Sequence, residues 1–478
     1  MCREKEGKNH LFSFPEGIRG VKVPLIKFFE SKYYPPLVAF LVALGHITGI
    51  EYYLNIIVIL MAGFSLILCE SAISLITPLI TFLYQIPLKH SPGIPTFSDY
   101  YFKGWKLPLI AVLAVFIFGA LIYRFILNFR GKFNKKTPIL IPITALSVAF
   151  LLNGVFSSGW NFAGLLLGFI EAAVYFLLFY LLYFGFAGES SKRLIDYFCY
   201  CTLFIALTLI TQIAFMFLTY DNIIVDGSVI KENINLGWGI WNPIGFALTV
   251  IIPILVLGAT RMKYPAVYFT VSVLTYICAV LTMSRNALIF ATLGLGVSFV
   301  LACFFGERKK LMRIATAAGI VLAVVFLLVL REKIADVFAK VLEQGLSDNG
   351  RFELWKRGIE NFLCAPVFGK GLFGYGDTDV FIAANFIPTM AHNTIVQLLS
   401  SMGIAGTAAY GFYRVKTLLP LFRKPTFEKA VLYLPILLTL GMSLLDNFVF
   451  YVYTVFYYTV ALAIIFRVEE EKKEQRDQ

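Results

Sequence analysis

One histidine stands where a polar segment of the chain enters a long apolar one. His392 opens the sequence HNTIVQLLSSMGIAG. Imidazole is the side chain whose unperturbed pKa allows proton exchange near neutral pH, so His392 is a candidate catalytic base. A histidine that only caps or packs a helix is the alternative reading. Arginines predicted on the same face favour the catalytic role.

Four basic side chains are candidates for holding a phosphorylated substrate. Arg285 lies where one apolar run ends and the next begins, in LTMSRNALIF, and Arg351, Lys356 and Arg357 lie together in NGRFELWKRG. Guanidinium groups bind phosphate oxygens in pairs, and an ammonium group adds a point charge. The alternatives are interfacial snorkelling for Arg285 and a solvated helix face for Lys356 and Arg357.

Other kinds of chemistry find little support in the sequence. Glu353, Glu360, Asp377 and Asp379 are too scattered along the chain to indicate a metal site. The seven cysteines show no CxxC spacing, which argues against a zinc site or a disulfide framework. The phosphate-binding pattern GxxxxGK[ST] does not occur. We therefore predict neither a metal nor a cofactor.

The elements that position these residues are predicted to be membrane helices. Of the 478 residues, 59% are hydrophobic and 15% are charged, and the mean hydropathy is +0.78, more apolar surface than a soluble core of this size can hide. We predict an all-α polytopic membrane helix bundle of about 14 (12–14) transmembrane helices. The predicted spans lie near 33–50, 53–69, 71–86, 107–123, 137–153, 162–186, 195–219, 241–258, 265–283, 286–305, 312–330, 393–413, 430–446 and 448–466.

The basic residues predict the orientation of the bundle. If the N-terminus is cytosolic, the cytosolic segments carry 29 of the 41 Lys and Arg residues, while the short external turn 153–161 carries none. This follows the rule that cytosolic loops are positively charged. Both termini are then cytosolic. The net charge of +12 is therefore a sign of topology, and we predict a lipid bilayer and no nucleic acid as partner.

The same pattern divides the chain into five parts. We predict a cytosolic basic or interfacial N-terminal segment (1–32), an N-terminal transmembrane bundle (33–330), one long external loop (331–391), C-terminal transmembrane helices (392–466) and a charged cytosolic tail (467–478). Within the loop, FELWKRGIENFL has near-helical apolar spacing, and GKGLFGYGD follows with its turn-forming glycines. A loop of this length in a compact bundle is typically functional.

Three pieces of the chain resemble the signature region of the O-antigen ligase and O-antigen polymerase superfamily of bacterial membrane glycosyltransferases. They are SRNAL (284–288), GRFELW through APVFGKGLFGYG (350–376) and HNTIVQLLSSMGIAG (392–406), in the expected order over about 284–406. In the ligase pattern, Thr394 replaces a serine two residues after His392. The superfamily's loop arginine is missing from 220–240. These departures leave ligase and polymerase both open.

The resemblance implies transfer of a glycan from undecaprenyl diphosphate to a hydroxyl of a glycan or lipid acceptor. The reaction is expected on the external face of the bacterial cytoplasmic (inner) membrane, without metal or nucleotide sugar. Arg285 and Arg351 would stabilise the leaving diphosphate, and His392 would accept the proton of the hydroxyl. A single in-line attack would invert the anomeric carbon.

A lipid-linked oligosaccharide flippase, or another secondary transporter, is the alternative from a different class. Such a protein needs charged residues along a path through the membrane and often has inverted repeats. Glu70, Glu171 and Asp196 are near predicted span ends or isolated. The sequence therefore favours an enzyme over a transporter.

Overall fold

The computed structural model of the protein describes most of the chain. The described residues are 16–85, 104–129, 137–160, 162–225, 228–329, 350–372, 391–423, 425–448 and 452–477. Residues 1–15 and the parts 331–349 and 373–390 of the predicted external loop lie outside this description, as do Asp377 and Asp379.

The described chain is almost entirely helical. Its helices are α1 (Glu16–Phe29), α2 (Tyr34–Thr48), α3 (Glu51–Leu68), α4 (Ile76–Thr81), α5 (Lys106–Phe129), α6 (Leu140–Phe156), α7 (Phe162–Ala173), α8 (Phe179–Gly185), α9 (Ser191–Thr219), α10 (Trp241–Arg261), α11 (Pro265–Leu281), α12 (Arg285–Phe305), α13 (Lys309–Val329), α14 (Arg351–Cys364), α15 (Thr394–Leu418), α16 (Phe427–Met442) and α17 (Val452–Asp477). Short 3-10 turns flank α4, and a π-helical turn (Val174–Leu178) joins α7 to α8. A hairpin of two-residue strands (Ile224–Val225 and Ser228–Val229) precedes α10.

The all-α membrane architecture agrees with the sequence prediction. A helix lies at each of the fourteen predicted span positions. Among the described residues, seven helical stretches are long and apolar enough to cross a membrane: Glu51–Leu68, Lys106–Leu127, Gly164–Gly185, Ser191–Thr219, Trp241–Arg261, Arg285–Phe305 and Thr394–Phe422. The protein is therefore a multi-pass membrane protein. Fourteen crossings remain a prediction.

Helix α10 forms the centre of the bundle. The most apolar stretch of this helix is buried along its whole length, because α9, α11, α12 and α16 surround it. A helix that is apolar on all sides must be enclosed in this way. Small residues allow the closest approach: a Cβ on Gly245 would lie 2.5 Å from Cβ of Ala287 on α12. The start of α10 is thus fixed against the start of α12.

Ion pairs concentrate at the end of the bundle where α10 finishes. Arg261 Nε lies 3.0 Å from Asp196 Oδ1, and Nη1 lies 3.1 Å from Glu307 Oε1 and 3.4 Å from Glu428 Oε1. By its rise per residue, α10 places this end about 30 Å from Trp241, near the thickness of a bilayer core. The sequence predicts that this end is cytosolic.

The predicted charged tail continues α17 as a helix. Its acidic residues have partners at the same end of the bundle: Glu469 Oε1 with Lys429 Nζ (2.8 Å), Glu470 Oε2 with the Tyr183 hydroxyl (2.7 Å) and Glu471 Oε2 with the Ser191 amide (2.8 Å). The last contact places a carboxylate at the N-terminus of α9, where the helix dipole favours negative charge.

Helix α15 is interrupted at Gly403, where φ is 62° and ψ is −161°. The interruption leaves backbone N–H and C=O groups without partners in the helix, and lipid offers them no hydrogen bonds. The segment after α14 satisfies them with four hydrogen bonds: Lys370 N to Ser400 O (2.9 Å), Gly371 N to Ser401 O (3.0 Å), Ile404 N to Pro366 O (2.8 Å) and Ala405 N to Val367 O (3.2 Å). The described part of the predicted turn-rich segment, residues 369–372, therefore belongs to a packed junction.

The turn between α6 and α7 holds the other side of this junction. Ser158 N donates to Gly369 O at 3.2 Å, and Gly159 N donates to Lys370 O at 3.1 Å. The buried Asn153 side chain donates from Nδ2 to Phe368 O at 2.7 Å. The junction thus ties α14 and α15 to the turn between α6 and α7.

Candidate functional site

His392 lies directly before α15 and contacts a buried carboxylate. Its Nδ1 is 3.1 Å from Asp446 Oδ1; the His392 side chain is 40% exposed and the Asp446 side chain 3%. A carboxylate accepts a hydrogen bond from Nδ1–H, which selects the tautomer with its lone pair on Nε2. The carboxylate also stabilises the ring once it is protonated. The pair therefore has the arrangement of an oriented general base.

Asp446 is held by the backbone of its neighbour and by a side chain at the start of α10. Its Oδ1 accepts from the Asn447 amide at 2.8 Å, and its Oδ2 accepts from Asn242 Nδ2 at 3.3 Å. Asn242 Oδ1 in turn accepts from the Ser284 hydroxyl at 2.7 Å. A chain of hydrogen bonds thus connects His392 to the SRNAL sequence at the start of α12. The structure brings together two motifs that are more than a hundred residues apart in sequence.

The backbone around His392 is fixed by the cap of α15. His392 has φ 49°, in the left-handed region that residues other than glycine rarely adopt. The next residue, Asn393, caps α15: its Oδ1 accepts from Ile395 N at 2.9 Å, and its Nδ2 donates to Leu444 O at 3.0 Å. Thr394 N donates to Ser443 O at 2.9 Å. These bonds hold the strained residue over the end of α16 and beside Asp446.

A second set of hydrogen bonds attaches α14 to the residue before His392. Ala391 O accepts from Trp355 Nε1 at 2.8 Å, and Ala391 N donates to Gln397 Oε1 at 2.8 Å. Gln397 Oε1 also accepts from Asn447 Nδ2 at 3.3 Å. Helix α14 therefore has a fixed position relative to the His392–Asp446 pair.

Three cations gather beside this site. Arg285 and Arg351 are the first residues of α12 and α14, and Lys231 lies in a 3-10 turn before α10 with Nζ 5.3 Å from the centre of the Trp241 ring. Partial burial lowers the pKa of Lys231 below its usual value, and the charges of Arg285 and Arg351 lower it further, with Glu232 acting in the opposite direction. Two arginines whose charges both act on Lys231 are suited, together with it, to binding an anion with several charges.

Lys356 and Arg357 take a different position. Both are exposed on α14, and no contact within the described residues joins either one to His392, Asp446 or Lys231. A role for them in donor binding remains a prediction.

Sequence reasoning missed Asp446, Asn242 and Lys231. Asp446 lies in SLLDNFVF, and its one visible signal was a carboxylate at the last position of the predicted span 430–446. Lys231 lies in the 220–240 segment, from which the superfamily's loop arginine is missing. Lysine supplies the same charge, although without the planar geometry of a guanidinium.

Comparison with known proteins agrees with the motifs. The family model described as O-antigen ligase matches residues 270–411. This region includes Arg285, Arg351 and His392, whereas Lys231 and Asp446 lie outside it. A search of curated proteins finds no match. The match confirms, over residues 270–411, the resemblance to the O-antigen ligase and O-antigen polymerase superfamily that the sequence motifs indicate.

Proposed function

We propose that the protein is a surface-polysaccharide ligase or polymerase. It transfers a glycan from undecaprenyl diphosphate to an acceptor hydroxyl on the external face of the bacterial cytoplasmic membrane, without a metal and with inversion. The observation that carries the proposal is the His392–Asp446 pair beside the Arg285, Arg351 and Lys231 cations. The match of residues 270–411 to the O-antigen ligase family model supports a role in surface-polysaccharide synthesis.

In this proposal, His392 acts as the base. Nε2 takes the proton of the acceptor hydroxyl while the hydroxyl oxygen forms a bond to the anomeric carbon. The bond from that carbon to the diphosphate oxygen breaks, and its electron pair leaves with the diphosphate. Asp446 stabilises the imidazolium ion that results and keeps the ring oriented through Nδ1. One in-line displacement inverts the anomeric carbon.

The cations act on the leaving group. Negative charge grows on the diphosphate as the bond breaks, and fixed positive groups stabilise it most when they are oriented beforehand. Arg285 and Arg351 each offer a planar pair of donors, and Lys231 adds a compact charge. The three side chains thus supply the positive charge that other glycosyl transfers obtain from a metal ion.

A lipid-linked oligosaccharide flippase is the second candidate, and one observation favours it. Glu171 and Arg414 are both buried, although the sequence placed Arg414 in a cytosolic segment. The guanidinium of Arg414 lies 4.8–5.2 Å from the ring centres of Tyr410, Tyr413 and Tyr458. Its Nη2 donates to the Tyr458 hydroxyl at 3.2 Å. The tyrosine rings therefore hold this charge in place. A transport path through the bundle would have to separate Arg414 from these rings.

Replacing Arg285 with alanine tests the transferase proposal. In proteoliposomes with a lipid-diphosphate-linked glycan, an acceptor and EDTA, native protein is expected to release undecaprenyl diphosphate. Arg285→Ala should release it about 10²–10³-fold more slowly, because one preoriented charge is lost. Arg193→Ala is the matched control, since Arg193 pairs with Glu189 and is half exposed on α9. Equal rates for all three proteins would refute the site, and labelled lipid that crosses the bilayer without glycan transfer would favour the flippase.

Lys231 predicts an alkaline limit on the use of donor. Lys231→Ala is expected to lower kcat/KM for the donor by about 10–100-fold, the value of a charge-assisted hydrogen bond. Because the pKa of Lys231 is lowered, its charge is lost as pH rises, earlier than for an ordinary lysine. Lys231→Arg keeps its charge and should extend activity to higher pH. Identical pH profiles for native protein and Lys231→Arg would exclude Lys231 from the donor site.

A further inference from the structure

Helix α14 presents one face to the protein. Gly358 and Asn361 are buried on the side that packs on α15. On the same side, Trp355 Nε1 donates to Ala391 O at 2.8 Å. This face of α14 therefore packs against the protein.

A second face is apolar and exposed. Ile359 and Leu363, one helical turn apart, are 40% and 69% exposed, and Phe352 is 66% exposed on the same stripe. Lys356 lies beside them. A large apolar stripe is unfavourable in water, whereas a lysine at its edge is typical of a helix in a lipid interface.

The third face is charged. Glu353, Arg357 and Glu360 are all exposed and lie on the side opposite to the α15 contact and next to the apolar stripe. The helix thus separates acidic residues from apolar ones by about a quarter turn. This separation is that of an amphipathic helix, with one side suited to lipid and another suited to water.

The depth of α14 follows from its contacts with α15. Near its start, α14 contacts Ala391, just before α15 begins. Beyond its end, Pro366 O accepts from Ile404 N at 2.8 Å. From Thr394 to Ile404 the helical rise is about 15 Å, half the thickness of a bilayer core. Because Thr394–Phe422 is a candidate membrane span, α14 runs beside its first half.

We propose that α14 is embedded in the lipid leaflet at the His392 end of the bundle. Ile359 and Leu363 contact acyl chains, Lys356 reaches the phosphates of the lipid headgroups, and Glu353 and Glu360 face water. One face of the described part of the predicted external loop then contacts lipid. Arg351, at the start of α14, is fixed at headgroup depth. This placement does not depend on the transferase proposal.

Two neighbouring positions give a direct test. Cys364, exposed on α14, follows Leu363 and points about 100° away from it, toward the charged face. A nitroxide is attached in proteoliposomes either to Cys364 in a Cys2→Ser chain, or to residue 363 in Leu363→Cys/Cys364→Ser/Cys2→Ser. Electron paramagnetic resonance then compares relaxation by oxygen, which dissolves in lipid, with relaxation by a water-soluble nickel chelate.

The ratio of oxygen to nickel accessibility is expected to be several-fold higher at position 363 than at position 364. High nickel accessibility at both positions would place α14 in water and overturn the proposal. Low accessibility to both reagents at position 363 would show a protein contact there and would overturn it too. Ile359→Cys/Cys364→Ser/Cys2→Ser provides a second lipid-facing position if the Leu363 variant does not fold. None of these readouts requires glycan transfer, so a failed transferase proposal remains distinguishable.

Discussion

Glycan transfer is expected to fall by about 10²–10⁴-fold when His392 is replaced by asparagine, the range that a positioned general base contributes. Asparagine is the informative replacement because it tolerates the left-handed backbone that His392 adopts (φ 49°) but cannot accept the proton at neutral pH. Donor binding should be nearly unchanged, since the cations remain. The measurement is single-turnover transfer at saturating donor.

The Asp446 carboxylate provides the control for this assignment. Asp446→Asn should slow transfer, because Nδ1 loses its negative partner, but it should add little to His392→Asn in the double variant. Losses that multiply in the double variant would show that Asp446 acts independently of His392. Transfer at the native rate by His392→Asn would remove His392 from the chemistry.

The second large effect concerns folding. Gly403→Ala should destabilise the protein by about 3 kcal/mol or more, because the φ and ψ of Gly403 belong to a region open essentially to glycine alone. A Cβ there would lie 2.4 Å from Val367 O and 2.6 Å from Pro366 O. The added carbon would push away the carbonyl groups that accept hydrogen bonds from Ile404 N and Ala405 N. Thermal unfolding in detergent, followed by the loss of monodisperse protein, measures the effect.

The same helix offers a matched control. Gly411 lies in α15, and a Cβ on it would meet nothing within 4 Å. Gly411→Ala should therefore be neutral or slightly stabilising, since alanine favours helix more than glycine does. If the two variants unfold at the same temperature, the interruption at Gly403 does not contribute to stability.

Local signals were sufficient to predict the helices and part of the site. Apolar runs of span length located the helices, because the bilayer makes that pattern strong. His392 and Arg285 were found because their types stood out at the boundary of apolar runs. Arg351 was grouped with Lys356 and Arg357 by sequence proximity alone. In the structure, α14 separates Arg351 from Lys356 and Arg357. Arg351 lies at the start of the helix, where its charge acts on Lys231.

Long-range contacts were not predictable in the same way. Asp446 is 54 residues from His392, and hydrogen bonds from Asn393 and Thr394 to Leu444 and Ser443, just after α16, bring the two together. Gly403 was part of a motif, but the requirement for glycine there comes from the carbonyl groups of Pro366 and Val367, more than thirty residues earlier. Arg414 was counted as cytosolic because charge normally marks a loop, whereas three tyrosines hold it inside the bundle.

The hydrogen-bond chain from Ser284 through Asn242 and Asp446 to His392 has a consequence for biosynthesis. Its members enter the membrane in the order 242, 284, 392 and 446, so the carboxylate is the last to arrive. During synthesis, a chain that has inserted α15 but not yet the residues after α16 carries the imidazole without its counter-charge. The protein therefore acquires its oriented base only when nearly all of its helices are in place, and a prematurely terminated copy lacks it.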